Sequence, residues 1–404
     1  MTRGQQLLLG LIGVALPAWA TDVPRVRNGN APAEGVQTWQ LSEQWRAGGT
    51  EDEHVFGLVS QAAIDPQGNV YLLDQQLCQV LVYSPDGRRL RVLGGEGDGP
   101  GEFRMPWDMT LLPGGRIGVG LTMPGKIVVL ENDGTPAGTI PIGNPDPAAG
   151  GFHVLDQVKC RGEHLAVVAR TVEQDGDALI RRRYLSILDF EGREKVRLLE
   201  DSSPDAILQG KYIERDDYFV NLGRWALGPD GTVFAAPHRD RYAVSVFSPA
   251  GELIRIIERE FDPWKRSAAE KARVGEGMIA IIDGEQVRLE VEAEDHAPCI
   301  SSLHAAANGD LWVLSARGTR DQPPGVLRTF DVFDPQGKFV RQVAIALEDG
   351  DPAADRLFLL DGDRMLVIKN YGGSVRGMTG SGAEDDESTD PTPLEIICCR
   401  IQRP

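Results

Sequence analysis

A short pattern of apolar residues recurs along this chain of 404 residues. The pattern is clearest at four glycines, each preceded by a turn-forming stretch: Gly68, Gly115, Gly231 and Gly309. Apolar residues stand two and four positions after each of these glycines, as Val70 and Leu72 do after the first. Apolar side chains at every second position indicate a β-strand, and a glycine turn just before the strand indicates a hairpin.

A second set of turns follows the first. Its glycines are Gly87, Gly134, Gly192, Gly251 and Gly337. The residues five and four positions before each of them are both apolar, as in the pair Val82 and Tyr83. Neighbouring apolar residues are typical of a strand that is buried on both faces. Each complete repeat therefore predicts four antiparallel strands, the unit that forms one blade of a β-propeller.

The number of repeats predicts an all-β fold, a six-bladed β-propeller of four-stranded antiparallel blades. Five repeats begin near residues 62, 109, 153, 225 and 303, and the sixth is divided between the two ends of the chain. Residues 355–371 and 393–402 supply its first three strands. Because a blade needs a fourth strand, we expect the last blade to be closed by an N-terminal strand at 36–49. Trp39, Leu41 and Trp45 are expected on one face of that strand. Closure by both chain ends leaves the ring without open edges.

Three phenylalanines stand twelve residues before a repeat glycine: Phe56, Phe103 and Phe219. The shared position predicts that each packs between two neighbouring blades. Five glycines lie in the eight residues from Gly94 to Gly101, just before Phe103. A phosphate-binding loop would be followed by a helix, but a strand follows here. We interpret this stretch as the return from the outer strand of one blade to the inner strand of the next, which needs positive φ angles.

The domain organisation follows from composition. Residues 1–20 have a basic start at Arg3, an apolar run and the small-residue pattern of Ala18 and Ala20, as in a secretory signal peptide. We expect cleavage near Ala20 and a periplasmic or secreted protein. Residues 21–35 form an N-terminal extension, and 36–404 form the propeller. Two insertions are expected at 202–218 and 261–296, the second starting with a helix, and residues 379–393 are expected to form a mobile acidic loop.

The formal net charge of −18 makes nucleic acid an unfavourable partner. After the N-terminal signal, no apolar run is long enough for membrane insertion. The chain has five cysteines, and an odd number cannot all pair within one chain. Their disulfide pairing stays open.

Three stretches of the first repeat resemble a known family. DPQGNVYLLD at 65–74, VLVYSPDG at 80–87 and GEGDGPGEFRMP at 95–106 resemble NHL repeats of six-bladed, TolB-like β-propellers. The chain also resembles exported bacterial six-bladed propellers without an assigned chemistry. The resemblance implies the fold but not the function, because propellers serve as binding scaffolds, lyases and lactonases alike.

The favoured function is a non-catalytic scaffold that binds a protein, peptide or glycan at the mouth of the central channel, without a cofactor. The candidate binding residues stand near the starts of predicted inner strands or in loops beside them: Trp107, Asp108, Arg224, Trp225 and Asp240. The tryptophans could stack on a sugar or peptide. No GxSxG pattern of a hydrolase nucleophile occurs in the sequence.

The alternative is a metal-dependent lyase or a lactonase-type hydrolase. His153, His238 and His304 fall in three different repeats, and a catalytic zinc site needs three protein ligands and a water. Amidating lyases of the NHL family hold zinc with histidines from separate repeats, and propeller lactonases use calcium, so the resemblance allows zinc or calcium here. The three histidines occupy different positions within their repeats, and a common focus is therefore left open.

Overall fold

A computed structural model describes residues 23–49, 55–143, 152–175, 178–275, 278–282, 285–360, 362–374 and 393–404. The predicted signal peptide and residues 379–392 of the predicted acidic loop lie outside these ranges. The described residues contain the helices α1 (Glu214–Asp217) and α2 (Ala268–Ala272). The strands are β1 (Arg25–Asn28), β2 (Val36–Gly48), β3 (Val59–Ile64), β4 (Val70–Asp74), β5 (Gln79–Tyr83), β6 (Arg89–Leu93), β7 (Pro106–Leu112), β8 (Arg116–Leu121), β9 (Lys126–Leu130), β10 (Pro136–Pro141), β11 (Phe152–Arg161), β12 (His164–Asp175), β13 (Ala178–Leu188), β14 (Glu194–Pro204), β15 (Lys211–Ile213), β16 (Trp225–Leu227), β17 (Val233–Ala235), β18 (Ala243–Phe247), β19 (Leu253–Arg259), β20 (Ile279–Ile282), β21 (Glu285–Arg288), β22 (Glu290–Glu292), β23 (Ile300–Ala305), β24 (Leu311–Ser315), β25 (Val326–Phe333), β26 (Phe339–Ala346), β27 (Arg356–Leu359), β28 (Arg364–Lys369) and β29 (Glu395–Gln402).

Most strands belong to sheets in which consecutive strands are antiparallel neighbours. Three sheets have four strands each, β3 to β6, β7 to β10 and β11 to β14, and a fourth contains β16 to β19. In the predicted strand–turn–strand units, the glycines of the tight turns have positive φ, as at Gly68 and Gly87. The protein is therefore all-β, with a β-propeller-like arrangement of four-stranded units.

The strands of the last two repeats form one eight-stranded sheet, in the order β23, β24, β25, β26, β2, β29, β28, β27. The N-terminal β2 pairs antiparallel with β29, as predicted, over Gln40–Gly48. Its first residues, Val36–Gln40, also pair in parallel with β26. This second pairing was not predicted, and it joins two four-stranded runs that the repeats indicated to be separate.

The prediction that Trp39, Leu41 and Trp45 share one face of β2 is wrong. Trp39 and Leu41 pack among side chains of β25, β26 and β28. Trp45 packs on the other side, against Tyr83 of β5, with ring centroids 5.4 Å apart. The pairing with β29 shifts between Glu43 and Trp45. Such a bulge adds one residue to the strand and turns the following side chains to the opposite face.

The three phenylalanines pack between neighbouring sheets, as their shared spacing predicts. Phe103 is completely buried among side chains of β4, β5, β7 and β8. Phe56 lies between β28 and the sheet of β3 to β6, and Phe219 lies between β12 and β16. Gly94 has φ of +76°, and a Cβ atom there would lie 2.3 Å from Cζ of Phe103. Gly94 is therefore needed for close packing around this ring.

The N-terminal extension contains a strand that was not predicted. β1 pairs in parallel with the outer strand β19. Asn28 at the end of β1 donates from Nδ2 to the carbonyl oxygens of Glu258 and Gly337, and its Oδ1 accepts from the N–H of Phe339. The side chain of Asn28 thus links two neighbouring sheets at their outer edge.

The two predicted insertions pack against each other. Residues 202–204 of the first belong to the end of β14, and β15 of the first pairs in parallel with β22 of the second. The prediction that the second insertion starts with a helix at 261 is wrong, because α2 begins at Ala268. Its cap is Ser267, which accepts from the N–H of Glu270, while the Glu270 side chain accepts from the N–H of Ser267. This reciprocal capping was present in the sequence as Ser-Ala-Ala-Glu.

All five cysteines lie in the described part of the chain, and each is a free thiol. Four of them are buried, and only Cys160 is partly accessible. Burial raises the pKa of the Cys160 thiol to about 12.

Candidate functional site

The first strand of each four-stranded run lines one central channel. These six strands are β3, β7, β11, β16, β23 and β27, and they enclose a cavity of about 600 Å³. A volume of this size is typical of small-molecule sites. The charged side chains among the lining residues are Asp108, Lys159, Arg161 and Arg356, and His304 also belongs to the lining.

Two polar side chains of β7 hold the backbone of β11. Asp108 is buried, and its two carboxylate oxygens accept from the N–H groups of Met109 and Val158, both at 2.8 Å. Thr110 Oγ1 accepts from the N–H of Cys160 at 2.8 Å. Burial raises the pKa of Asp108 to about 6, because desolvation of the carboxylate outweighs these hydrogen bonds and nearby cations.

Lys159 of β11 reaches across the channel wall to β16. Its Nζ donates to the carbonyl oxygen of Trp225 at 2.9 Å and lies 4.9 Å from the centroid of the Trp225 ring. Burial lowers the pKa of Lys159 to about 8, although the negative charge of Asp108 opposes this shift. The ammonium group is therefore mostly protonated at neutral pH but easily deprotonated above it.

His304 and Arg356 line the same channel from β23 and β27. Burial, together with the positive charges of Arg161 and Lys159, lowers the pKa of His304 to about 3, so its imidazole is neutral at physiological pH. Arg356 of β27 donates to the hydroxyl of Tyr371 and lies over its ring at 4.7 Å. At neutral pH, three cations face one carboxylate in this channel.

Three of the predicted site residues reach the channel. Trp107, which is 45% exposed, Asp108 and His304 all belong to its lining. Trp225 is completely buried instead, and its Nε1 donates to Gln157 at 3.0 Å. Its ring lies in the wall, where it cannot stack on a ligand in the channel.

Arg224 is held behind the channel wall. Its guanidinium donates to the carbonyl oxygens of Phe219 and Asn221 and lies 4.8 Å from the centroid of the Tyr218 ring. Burial lowers its pKa from the usual value. The two residues before it along the turn, Leu222 and Gly223, are the ones that reach the cavity.

Asp240 and His238 line a second cavity, which has a lining separate from that of the channel. Asp240 pairs with Arg215 at 2.8 Å and with Arg239 at 3.0 Å. The neighbouring Glu214 accepts from Arg239 and also from Arg266 of the second insertion. These hydrogen bonds lower the pKa of Glu214 to about 2 against the effect of burial. The cluster ties the two insertions to the loop after β17.

The three candidate metal ligands lie in three different places. His153 Nδ1 is 2.9 Å from the hydroxyl of Tyr184, His238 is at the second cavity and His304 is in the channel. Across the described ranges of the chain, no three His, Cys, Asp or Glu side chains are close enough to hold a metal ion together. The three histidines occupy different positions within their repeats. Equivalent positions in different repeats would face one common point, and these positions do not.

The cations of the channel were not predicted. Gln157, Lys159 and Arg161 alternate along β11, and all three belong to the channel lining. Polar residues at every second position of 157–161, with Val158 and Cys160 between them, are a signal that the sequence contains. The signal was missed because the turn of this repeat differs from the others, so that its inner face could not be aligned with theirs.

In the part of the chain that the structure describes, no helix is both long enough and apolar enough to cross a membrane.

Neither the models of known protein families nor the curated proteins give a match to this sequence. Among solved structures, a member of the duf4221 family from Bacteroides vulgatus has 9% sequence identity and a TM-score of 0.48. The alignment covers 91% of this chain and 99% of the other. A structure from Bacteroides fragilis that carries the name "putative exported protein" has 12% sequence identity and a TM-score of 0.47, and the alignment covers 94% of this chain and 99% of the other. Regucalcin from Agrobacterium tumefaciens, which is named a calcium-binding protein, has 11% sequence identity and a TM-score of 0.41. The alignment covers 90% of this chain and 97% of the other. The function of a neighbour is not transferred at this level of similarity.

Proposed function

We propose that this protein is an exported six-bladed β-propeller that acts as a non-catalytic scaffold and binds a protein, peptide or glycan at its central channel. In this proposal the eight-stranded sheet counts as two blades joined by β2. The observation that carries the proposal is the convergence of six first strands on one cavity of about 600 Å³. Binding sites of propellers and barrels commonly lie where such inner strands meet.

The polar groups of the channel support binding rather than a chemical step. Both oxygens of Asp108 accept from backbone N–H groups, so this carboxylate is held in a fixed position in the wall. Lys159 donates to the backbone of Trp225. A general base must reach the proton that it removes, and both oxygens of Asp108 are turned towards the backbone. The metal-dependent lyase or lactonase is not favoured, since its three candidate histidines lie at three different sites.

Gln61 offers a direct test of the channel. It is half-buried in the channel lining, so the substitution Gln61→Trp should fill the cavity without entering the core. The matched control is Gln40→Trp, at an exposed position of β2. Residues 21–404 of the wild type and both variants are applied to one peptide array and one glycan array.

The proposal expects peptides or glycans that bind the wild type and the Gln40→Trp control but lose binding to Gln61→Trp. Equal binding to both variants would place the ligand outside the channel and contradict the proposal. An absence of binding on both arrays would also contradict it. Export is tested separately by N-terminal sequencing of protein recovered from the periplasm or medium, where a start after Ala20 is expected.

A further inference from the structure

The charge of the channel is opposite to the charge of the whole protein. The chain has a formal net charge of −18, yet Lys159, Arg161 and Arg356 face only one carboxylate, Asp108, among the channel-lining residues. His304 adds no charge, because its pKa is lowered to about 3. Acidic residues elsewhere repel anions, whereas a pocket with an excess of cations attracts them and focuses their field.

Lys159 and Arg356 are positioned to leave donors for a ligand. Lys159 has three N–H bonds, and within the described residues one of them is used, on the carbonyl oxygen of Trp225. The side chain of Arg356 is oriented by the hydroxyl of Tyr371 and by the ring of Phe358 at 4.5 Å. A guanidinium oriented by its neighbours loses less freedom when it binds a carboxylate.

The remaining lining suits an organic group rather than a bare inorganic anion. Apolar side chains such as Met109, Leu111 and Phe358 lie among the cations. The amide side chains of Gln61 and Gln75 also line the cavity. Each amide carries both a donor and an acceptor, so it can pair with a peptide group of a ligand. These features together fit a short carbon chain with a carboxylate and an adjacent amide.

We propose that the part of the ligand that enters the channel is an acidic peptide segment, whose carboxylates lie against Lys159, Arg161 and Arg356. This inference rests on the proposed function, since it names the chemistry of the same site. The excess of cations over carboxylates accommodates two negative charges, as on two neighbouring glutamates or on an acidic chain end.

The test is isothermal titration calorimetry at low ionic strength, where electrostatic attraction is least screened. The probes are the dipeptide acetyl-Glu-Glu-amide, its neutral counterpart acetyl-Gln-Gln-amide, glucuronate and inorganic phosphate. The variants are Lys159→Met and Arg356→Gln in the channel. Arg27→Gln is the control, because Arg27 lies on β1 with a strongly exposed side chain and also loses one positive charge. Circular dichroism confirms the fold of each variant.

The acidic dipeptide is expected to bind, and its neutral counterpart is not. Each channel variant should weaken binding by about 10- to 100-fold, the range for a lost hydrogen bond to a charged group, and Arg27→Gln should change it less than twofold. Lys159→Met also removes the hydrogen bond to Trp225, so Arg356→Gln serves as the independent second variant.

Three results would overturn the inference: equal binding of the neutral dipeptide, tighter binding of glucuronate or phosphate, or unchanged affinity in both channel variants. Failure of the inference is distinguishable from failure of the proposed function. If neutral array ligands lose binding to Gln61→Trp while the acidic dipeptide does not bind, the channel is a binding site with a different preference. If no ligand responds to Gln61→Trp, the proposed function fails as well.

Discussion

Replacing Asp108 with asparagine should remove a pH-dependent loss of stability that the wild type carries. Burial raises the pKa of Asp108 from 3.8 to about 6. The folded state therefore binds the proton more tightly than the unfolded state, and stability falls as the pH rises from about 4 to 6. Between about pH 4.5 and 7.5 this linkage amounts to about 2 kcal/mol. The asparagine variant lacks the ionisation, so its stability relative to the wild type should improve by that amount over this interval.

Urea unfolding at the two pH values measures the effect as a difference of differences. Titrating groups that do not interact with Asp108 are common to both proteins and cancel, as does any constant loss from the changed hydrogen bond to Val158. The matched control is Thr110→Val, which removes the neighbouring hydrogen bond from β7 to the N–H of Cys160 without removing an ionisable group. Its destabilisation should be the same at both pH values. If the difference in unfolding free energy between Asp108→Asn and the wild type were the same at both pH values, Lys159 and Arg356 would fully compensate the desolvation of this carboxylate, and the reasoning would be refuted.

Phe103→Ala should destabilise the protein by about 3–5 kcal/mol in urea unfolding, since it empties a fully buried position between two sheets. Gly94→Ala should cost about 2 kcal/mol or more, because its Cβ would overlap the Phe103 ring at a positive φ; a milder effect would mean that this loop can move away. Trp225→Phe should cost about 1–3 kcal/mol by leaving Gln157 with one donor fewer, and a neutral effect would show that water replaces the indole N–H. Binding of the acidic dipeptide should weaken about tenfold from pH 7 to 9 as Lys159 loses its proton, and a flat profile in calorimetry would exclude its charge from the interaction.

The repeating turns were predictable because their cause is local. A glycine with positive φ and alternating apolar residues specify a hairpin wherever they occur, as at Gly68 and Val70. The packing of the three phenylalanines was predictable for the same reason, since a phenylalanine such as Phe103 recurs twelve residues before a repeat glycine. The parallel pairing of Val36–Gln40 with β26 joins residues about 300 positions apart, and no local pattern encodes it.

The site was less predictable than the fold, because a residue belongs to the channel lining through the direction in which its side chain points rather than through its residue type. Trp225 and Asp108 both stand near the start of an inner strand, yet one is packed in the wall and the other reaches the lining. A bulge decides such directions by moving the register by one residue, as between Pro106 and Asp108 in the pairing of β7 with β8. Recognising the alternation of Gln157 and Lys159 would have required aligning a repeat whose turn has a different length.

The ionisable groups of the channel lower the stability of the folded protein, because they are buried. Burial shifts the pKa of Asp108 upwards and those of Lys159 and His304 downwards, so for each group the surroundings disfavour the charged form. For Lys159 the sign means that stability rises with pH between about 8 and 10.5, where the unfolded state binds more protons. Apolar side chains at these positions would be less costly to bury. Such shifted groups in one cavity are typical of functional sites, and a ligand that restores the solvation of Lys159 would recover part of the free energy that the fold loses there.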